Sequence, residues 1–301
     1  MFDEVLKSGL KDKFPQILFD ESLKKHTSMS VGGPADGFLN VTEEEIPQAI
    51  NFCRDNNIEF YVIGNGSNLV VRDKGFRGLI ICVGKNMKSV EILDDLTIYA
   101  QAGAKLSMVS EMAAKANIGG FECLAGIPGN LGGAIVMNAG AYGGEIKDLI
   151  VDVTFYEGGL KKTVKGEDLG FGYRKSYFIN NPDTVVVGAT FRGVSRKESE
   201  IRAQMEEYSI RRNTTQPLEY PSAGSFFKRP EGYFAGKLVD DCGLRGFKVG
   251  GAMVSTKHAG FVINTGGATC KDIEELKGHI SARVMEKFGV KLEPEVRFIG
   301  Q

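Results

Sequence analysis

The chain of 301 residues lacks several features that mark whole classes of proteins. No stretch approaches the roughly 18 consecutive apolar residues of a membrane span. The charged N-terminus contains no apolar signal-peptide segment, so we expect a cytoplasmic protein that does not bind a membrane. The net charge of −1 gives no electrostatic basis for binding nucleic acid or an acidic lipid surface. Neither kind of partner is predicted.

Metal-binding and disulfide motifs are also missing. The cysteines show neither a C-x-x-C motif nor a paired spacing, which indicates reduced thiols rather than disulfides or a zinc site; they are Cys53, Cys82, Cys123, Cys242 and Cys270. Histidine occurs only three times, and the three are far apart in sequence. No metal site is predicted.

Two widespread nucleotide-binding motifs are absent as well. Without G-x-x-x-x-G-K-[ST] the chain is not a P-loop NTPase. Without G-x-G-x-x-G a Rossmann site for a dinucleotide is not expected. Any nucleotide cofactor must therefore be held in another way.

Glycine is the residue that the chain has in excess, with 39 residues against a usual share of about 7%. Nine lie in one stretch, GGFECLAGIPGNLGGAIVMNAGAYGG (119–144), and a second glycine turn lies in VIGNGSN (62–68). Glycine lets the backbone approach a ligand closely, and successive N–H groups in turns form anion sites. We interpret the two segments as loops that hold one phosphate-containing cofactor. The alternative is two glycine-rich turns without a ligand.

Hydrophobic periodicity and capping residues predict an α+β fold. We expect a helical segment over residues 1–25 and a helix capped by Thr42 with Glu45. A last helix should be capped by Thr269 with Asp272, and its buried stripe should be Ile273, Leu276, Ile280 and Val284. Strands are expected over residues 60–63 and 184–191, and a hairpin over residues 90–102. The predicted domains are residues 1–88, 89–212 and 213–301, and the last strand is left free to return to the first part of the chain.

Three polar positions are candidates for chemistry, each with a simpler alternative. Arg174, in FGYRKS (171–176), can hold a carboxylate with its planar fork, or it is one of a surface Arg-Lys pair. Ser225, between a glycine and two phenylalanines, can donate a proton to a carbanion, or it is a turn serine. Glu295, in EPEVR (293–297), can orient an arginine or share developing charge, or it lies at a solvated strand end.

These residues belong to segments that resemble the UDP-N-acetylenolpyruvoylglucosamine reductases, a family of flavoenzymes. The matching segments follow the family order from about residue 26 to the end of the chain: TSMSVGGPAD (27–36), VIGNGSNLVV (62–71), GIPGNLGGAIVMNAGAYGGEI (126–146), FGYRKSYF (171–178), AGSFFKRP (223–230), AGKLVDDCGLRG (235–246), GGAMVSTKHAGFVIN (250–264) and LEPEVRFIG (292–300). The combination is highly specific for the family.

The resemblance implies a two-part FAD-binding fold of the vanillyl-alcohol-oxidase type, followed by a C-terminal α+β substrate domain. It implies non-covalent FAD, NADPH as a transient hydride donor, and a UDP-sugar enolpyruvyl substrate. The product would be UDP-N-acetylmuramate, a peptidoglycan precursor, and the enzyme would be a monomer. The short path from Tyr177 to Thr184 indicates the shorter family type, which lacks an inserted tyrosine loop.

The resemblance also implies roles for individual residues. Ser225 matches the serine that protonates C2 of the enolpyruvyl group, and Arg174 and Glu295 match the pair that stabilises the enolate-like intermediate. Lys228 matches a basic position near the nucleotide sugar, whereas Arg229 stands where some relatives have Asn, so no role is assigned to it. The residues expected to contact FAD are Ile63, Gly64, Asn65, Gly66, Ser67, Asn68, Gly126, Pro128, Gly129, Gly132 and Gly133.

Two other functions remain open at this stage. One is a flavin oxidase of alcohols or sugars on the same fold. Some such enzymes tether flavin to histidine, but neither His26 nor His258 lies in a recognisable tether motif. The other is a nucleotide-binding regulatory protein without turnover, against which the presence of Arg174, Ser225 and Glu295 argues.

Overall fold

The structure, a computed structural model, describes residues 2–301. Met1, the first residue of the predicted N-terminal helical segment, lies outside the described residues. The chain forms two compact units, each built from separate segments. Unit 1 comprises Met1–Phe19, Gly37–Asn65 and Gly78–Arg211, and unit 2 comprises Asp20–Asp36, Gly66–Arg77 and Arg212–Gln301. The division at residues 88/89 and 212/213 stays a prediction.

Helices are distributed along the whole described chain. They are α1 (Glu4–Lys13), α2 (Glu45–Asp55), α3 (Leu106–Lys115), α4 (Leu131–Met137), α5 (Tyr177–Asn180), α6 (Glu198–Thr215), α7 (Ala235–Asp241) and α8 (Cys270–Phe288).

Strands are short and more numerous than helices. They are β1 (Leu18–Ser22), β2 (Pro34–Asn40), β3 (Phe60–Ile63), β4 (Leu69–Val71), β5 (Phe76–Cys82), β6 (Val90–Ile92), β7 (Thr97–Gln101), β8 (Ile118–Gly119), β9 (Gly140–Ala141), β10 (Gly144–Glu145), β11 (Ile150–Glu157), β12 (Leu160–Lys165), β13 (Val185–Arg192), β14 (Val194–Ser195), β15 (Ser222–Ser225), β16 (Lys248–Val249), β17 (Ala252–Val254), β18 (Phe261–Asn264) and β19 (Arg297–Ile299).

Unit 1 contains a five-stranded sheet in the order β12-β11-β13-β7-β6, in which every pairing is antiparallel. Its central strand β13 is almost fully buried, as expected for a strand covered on both faces. The predicted hairpin over residues 90–102 is confirmed as β6 and β7. Helix α3 buries Leu106, Val109 and Ala113.

A second sheet has the strand order β1-β2-β5-β3. Strand β3 pairs in parallel with β5, so that Ile63 lies opposite Cys82. Both strands end at this point, and the short glycine turn begins directly after Ile63. The C-terminal end of β3 therefore sets the position at which that turn begins.

Unit 2 is built on a four-stranded sheet in the order β15-β18-β17-β16 with a core that includes residues of α7 and α8. The Thr269 hydroxyl accepts a hydrogen bond from the Asp272 N–H, and the Asp272 carboxylate accepts one from the Thr269 N–H, so the predicted capping box is confirmed. The buried face of α8 is the predicted stripe of Ile273, Leu276, Ile280 and Val284. Strand β19 pairs in parallel with β4.

Three local predictions were wrong. Residues 1–25 are not helical throughout, because α1 ends at Lys13, ahead of Phe14 and Pro15, and strand β1 follows; a residue before proline avoids the helical region. Helix α2 begins at Glu45, so Thr42 is not its N-cap, although its N–H still donates to Glu45 Oε2 at 2.8 Å.

The third error concerns the long glycine stretch, which we expected to be a loop throughout. It contains α4, whose Leu131, Ala134 and Ile135 are buried. Burying these apolar side chains offsets the cost of two glycines in the helix, roughly 1 kcal/mol each relative to alanine.

Candidate active site

The short glycine turn, residues 64–68, connects β3 to β4 and presents bare backbone. Within residues 2–301, none of its five backbone N–H groups donates a hydrogen bond to another residue. Its start is fixed because the Val83 N–H donates to Ile63 O at 2.8 Å. Such a row of N–H groups has the chemistry of an anion-binding turn.

Gly66 is the residue of this turn that no other amino acid can replace without a shift. Its φ is +59°, and a Cβ built on it would lie 2.1 Å from the carbonyl oxygen of His26. The Gly66 carbonyl also accepts from the Ser28 N–H at 3.2 Å. The segment that contains His26 and Ser28 therefore holds the turn by direct backbone contact, and Ser67 and Asn68 follow from this fixed point.

The long glycine stretch reaches the short turn within unit 1. A Cβ built on Gly64 would lie 3.3 Å from Cβ of Asn130, and Asn130 Nδ2 donates to the Val83 carbonyl at 3.4 Å. Val83 is the residue that also anchors Ile63. The sequence predicted that the two glycine segments act together, and the structure places Gly64 against Asn130.

Backbone hydrogen bonds fix the rest of the long stretch where it enters α4. The Leu106 N–H donates to Gly129 O at 3.3 Å, and the Gly132 N–H donates to Ala102 O at 2.8 Å. A Cβ on Gly133 would meet nothing within 4 Å, and Gly126 and Pro128 are exposed. Bare backbone at Gly64 and open space at Gly133 fit the close approach of a flat, phosphate-containing cofactor.

Arg174 lies in a two-residue turn that closes on itself. Gly172 and Lys175 exchange backbone hydrogen bonds of 3.0 Å in both directions, which leaves Arg174 at a φ of +49°. Its Nη1 donates to the Asn138 carbonyl at 3.5 Å, and its guanidinium lies 5.2 Å from the ring centroid of Tyr173. The turn holds the arginine in a backbone region that non-glycine residues rarely adopt.

Asn138 holds that turn, and the sequence reasoning did not single it out. It is fully buried with a φ of +43°. Its Nδ2 donates to Gly172 O at 2.9 Å and to Glu145 Oε2 at 3.0 Å, while its Oδ1 accepts from the Lys147 N–H at 3.2 Å. The available signal was an asparagine inside the glycine stretch, since asparagine tolerates the left-handed region.

Glu145 gives this corner of unit 1 a fixed negative charge. The hydrogen bond from the Lys147 ammonium, and then the one from Asn138, lower the pKa of its carboxyl, and the charge of Arg174 adds to the effect. The carboxylate is thus ionised at neutral pH. It holds the Asn138 amide in the orientation that points at Gly172.

Ser225 and Glu295 are brought together in unit 2. Ser225 is the exposed last residue of β15, after Gly224 at a φ of +78°. The next residue, Phe226, donates to Gly260 O at 2.9 Å and accepts from the Glu295 N–H at 2.8 Å. The Glu295 carbonyl in turn accepts from Asn68 Nδ2 at 3.2 Å, so a residue of the short glycine turn also reaches this segment.

Lys228 and Arg229 follow in the same segment. The Lys228 N–H donates to Glu293 O at 2.8 Å, and its Nζ lies 3.4 Å from Glu293 Oε2. The Arg229 guanidinium lies 4.4 Å from the ring centroid of Phe234. Both cations are therefore on the surface segment that begins at Ser225.

The cysteine side chains are mostly inaccessible. All five are free, and four are buried. Burial raises the pKa of Cys53 and of Cys270 to about 12, and that of Cys82 and of Cys123 to about 11. In the described part of the chain, no group of three histidine, cysteine or acidic side chains could hold a metal ion. Among the same residues, no helix has the length and apolarity that a membrane span needs.

Comparison with known proteins first defines the class. A family model for an FAD binding domain matches residues 38–158, which include the short glycine turn and the long glycine stretch. The protein is thus an oxidoreductase that uses FAD, and the predicted α+β FAD-binding fold is confirmed.

The particular family follows from the rest of the chain. Residues 216–299 match the model for the C-terminal domain of UDP-N-acetylenolpyruvoylglucosamine reductase. The reductase of that name from Agathobacter rectalis is 45% identical over 313 residues, covering 99% of this chain and 99% of the relative. A counterpart from Clostridium botulinum is 47% identical over 287 residues, covering 95% and 93%.

A solved structure agrees with these sequence relatives. The crystal structure of UDP-N-acetylenolpyruvylglucosamine reductase from Thermus caldophilus has a TM-score of 0.81 and 35% identity, and the match covers 95% of this chain and 98% of that one. The chain belongs to the UDP-N-acetylenolpyruvoylglucosamine reductase family. The resemblance seen in the sequence is therefore confirmed over nearly its whole length.

Proposed function

We propose that this protein reduces UDP-N-acetylglucosamine enolpyruvate to UDP-N-acetylmuramate with electrons from NADPH. The observation that carries the proposal is the pairing of a proton donor and a carboxylate in unit 2, where Phe226 joins the exposed Ser225 to the Glu295 segment by backbone hydrogen bonds. Relatives that are 45–47% identical carry the name of this reductase. Such a reduction needs a proton at the carbon next to the carboxylate, and a serine hydroxyl can supply it.

The glycine segments would hold the cofactor. FAD, when bound, supplies the two-electron chemistry that links NADPH to C3 of the enolpyruvyl group. The backbone of residues 64–68 would donate N–H groups to its pyrophosphate. The same site would be lined by Ile63, Gly126, Pro128, Gly129, Gly132 and Gly133. Gly64, which has no side chain, lets the Asn130 side chain of the long segment lie directly against the short one.

Arg174, Ser225 and Glu295 would act on the substrate. Negative charge develops on C2 and the adjoining carboxylate, and the fixed guanidinium of Arg174 is the natural stabiliser of that charge. The Ser225 hydroxyl would then give its proton to C2. Glu295 would act with Arg174 as the pair that stabilises the enolate-like intermediate. Lys228 would bind the nucleotide-sugar part of the substrate as a point charge.

Stopped-flow flavin absorbance tests the assignment of Ser225. In Ser225→Ala, flavin reduction by NADPH should keep its wild-type rate, because this step needs no proton at C2. Flavin reoxidation by the enolpyruvyl substrate should slow by on the order of 10² to 10⁴, the usual cost of losing a general acid. Ser222→Ala, on the same strand, is the matched control. An unchanged reoxidation rate in Ser225→Ala would overturn the role.

Acid precipitation separates this function from a flavin oxidase with tethered flavin. The yellow colour should leave the protein pellet and appear in the supernatant, because the proposed binding is non-covalent. Flavin that stays with the pellet would favour the oxidase.

NADPH consumption that depends on the enolpyruvyl substrate separates the enzyme from a regulatory protein. A monomer in the cytoplasm remains a prediction, and size-exclusion chromatography with light scattering tests the first part.

A further inference from the structure

His258 is a titratable side chain for which the proposed reaction has no use. It lies in the turn between β17 and β18 and is partly buried. Its Nδ1 accepts a hydrogen bond from the Gly260 N–H at 3.0 Å. A ring nitrogen that accepts is unprotonated, so the imidazole is neutral with its proton on Nε2.

The ring has little freedom to turn away from this bond. It packs edge-on against Phe261, with the ring centroids 4.9 Å apart. A Cβ built on Gly260 would lie 2.9 Å from His258 Cε1, and one built on Gly236 would lie 3.5 Å from the same atom. The backbone N–H of His258 donates to Ser255 Oγ at 3.2 Å. Both ends of the residue are therefore fixed.

Gly260 connects this histidine to the segment that carries the proposed catalytic residues. Its carbonyl accepts from the Phe226 N–H at 2.9 Å, and the Phe226 carbonyl accepts from the Glu295 N–H at 2.8 Å. Ser225 directly precedes Phe226 and lies opposite Phe261 in the sheet. A series of three hydrogen bonds thus runs from the imidazole to the backbone of Glu295 and passes beside Ser225.

We propose that His258 is a positioning residue that, as a neutral imidazole, holds Gly260 and through it the backbone that places Ser225 and Glu295. The inference rests on the proposed function, since the positioning matters only if these residues act on the substrate. Loss of the acceptor at Nδ1 would leave the Gly260 N–H unpaired, and the β15–β18 pairing at Ser225 would loosen. A small displacement of a proton donor is enough to slow a reaction.

The surroundings of His258 favour the neutral ring. Burial lowers its pKa, and the positive charge of Arg245 lowers it further. Three charged side chains of the neighbouring segments have other partners: Arg245 contacts Asp240, Lys237 contacts Asp241, and Lys257 donates to the Asn213 carbonyl. None of these contacts gives the imidazole a carboxylate partner that would favour its protonated form.

Acid should therefore break the connection. As the pH falls below the ordinary histidine pKa of about 6.5 and through the lowered folded-state pKa, Nδ1 gains a proton and faces the Gly260 N–H as a second donor. The hydrogen bond is then lost. Flavin reoxidation by substrate should fall on this acid limb, whereas flavin reduction by NADPH should not follow it.

Two variants test the inference on the flavin-loaded full chain, with both half-reactions followed by stopped flow. His258→Leu removes the acceptor, and its reoxidation rate at pH 7.5 should fall on the order of tenfold, with the reduction rate unchanged. His258→Asn places an amide Oδ1 where Nδ1 was and accepts from the same N–H. This variant should restore most of the rate and lose the acid limb, because an amide does not titrate.

The outcomes separate this inference from the proposed function. A His258→Leu protein with the wild-type reoxidation rate would overturn the inference, as would an acid limb that persists in His258→Asn. If His258→Leu does not fold, the pH profile of His258→Asn alone decides. Reoxidation that Ser225→Ala slows and His258→Leu does not would overturn only this inference. If the enolpyruvyl substrate does not reoxidise the reduced flavin of the wild-type protein, the proposed function itself is overturned.

Discussion

Replacing Asn138 with alanine should be among the most damaging single changes in unit 1. The side chain is fully buried and makes three hydrogen bonds, to Gly172 O, to Glu145 Oε2 and from the Lys147 N–H. A neutral hydrogen bond contributes about 1 kcal/mol net and one to a charged group about 2 kcal/mol. The three together come to about 4 kcal/mol of unfolding free energy.

Backbone conformation adds to this cost. Alanine at a φ of +43° is strained by about 1 kcal/mol more than asparagine, which tolerates the left-handed region. The expected loss is therefore about 5 kcal/mol, a large part of the 5–15 kcal/mol by which a domain is usually stable. Asn138→Gly should lose about 1 kcal/mol less unfolding free energy than Asn138→Ala, because glycine relieves the backbone strain. It does not restore the three hydrogen bonds.

Urea denaturation with linear extrapolation measures these differences. Asn57→Ala is the matched control, because Asn57 also has a positive φ, of +54°, but is exposed. It should lose only about 1 kcal/mol, the backbone term alone. A loss in Asn138→Ala no larger than that in Asn57→Ala would refute the reasoning. So would equal losses for Asn138→Gly and Asn138→Ala.

Three further experiments test other parts of the fold. Gly66→Ala should lower the flavin content of the purified protein, because its Cβ would lie 2.1 Å from His26 O. Flavin absorbance per chain measures this content. Gly278→Ala, in α8 and with open space around its Cβ, is the control, and equal flavin in both variants would contradict the argument. Thr269→Ala should cost about 1 kcal/mol of unfolding free energy through loss of the α8 cap, and no change in the urea midpoint would count against it. With a thiol reagent at pH 8, the partly exposed Cys242 should react first. The four buried thiols should react only on unfolding, since burial raises their pKa. Rapid labelling of Cys53 in the folded protein would contradict this expectation.

The proposed site was predictable where its signal is local. Arg174, Ser225 and Glu295 are candidates from their local composition, each with a simpler alternative, and their proposed roles come from the resemblance to the family. The glycine segments could be interpreted as cofactor loops because bare backbone lets a ligand approach closely. Asn138 and His258 could not be found in this way. The role of Asn138 depends on Gly172, which lies 34 residues away in the chain. The bond between His258 and Gly260 is local, but its connection to Phe226 and Glu295 forms only in the folded chain. A single sequence does not show such distant partners.

The helices and strands show the same difference between what local sequence determines and what distant contacts decide. The sequence by itself determined α8, because a capping box and a 3.6-residue apolar period act between neighbours in the chain. It determined strands such as β3 and β13 because each is a short apolar run rich in β-branched or aromatic residues. Only the tertiary structure decided that α4 forms inside a glycine-rich stretch, since burial of Leu131 and Ile135 outweighs the local preference of glycine. It alone placed Gly64 against Asn130. Contacts between residues far apart in the chain depend on the packing of all the elements between them, and no local pattern contains that information.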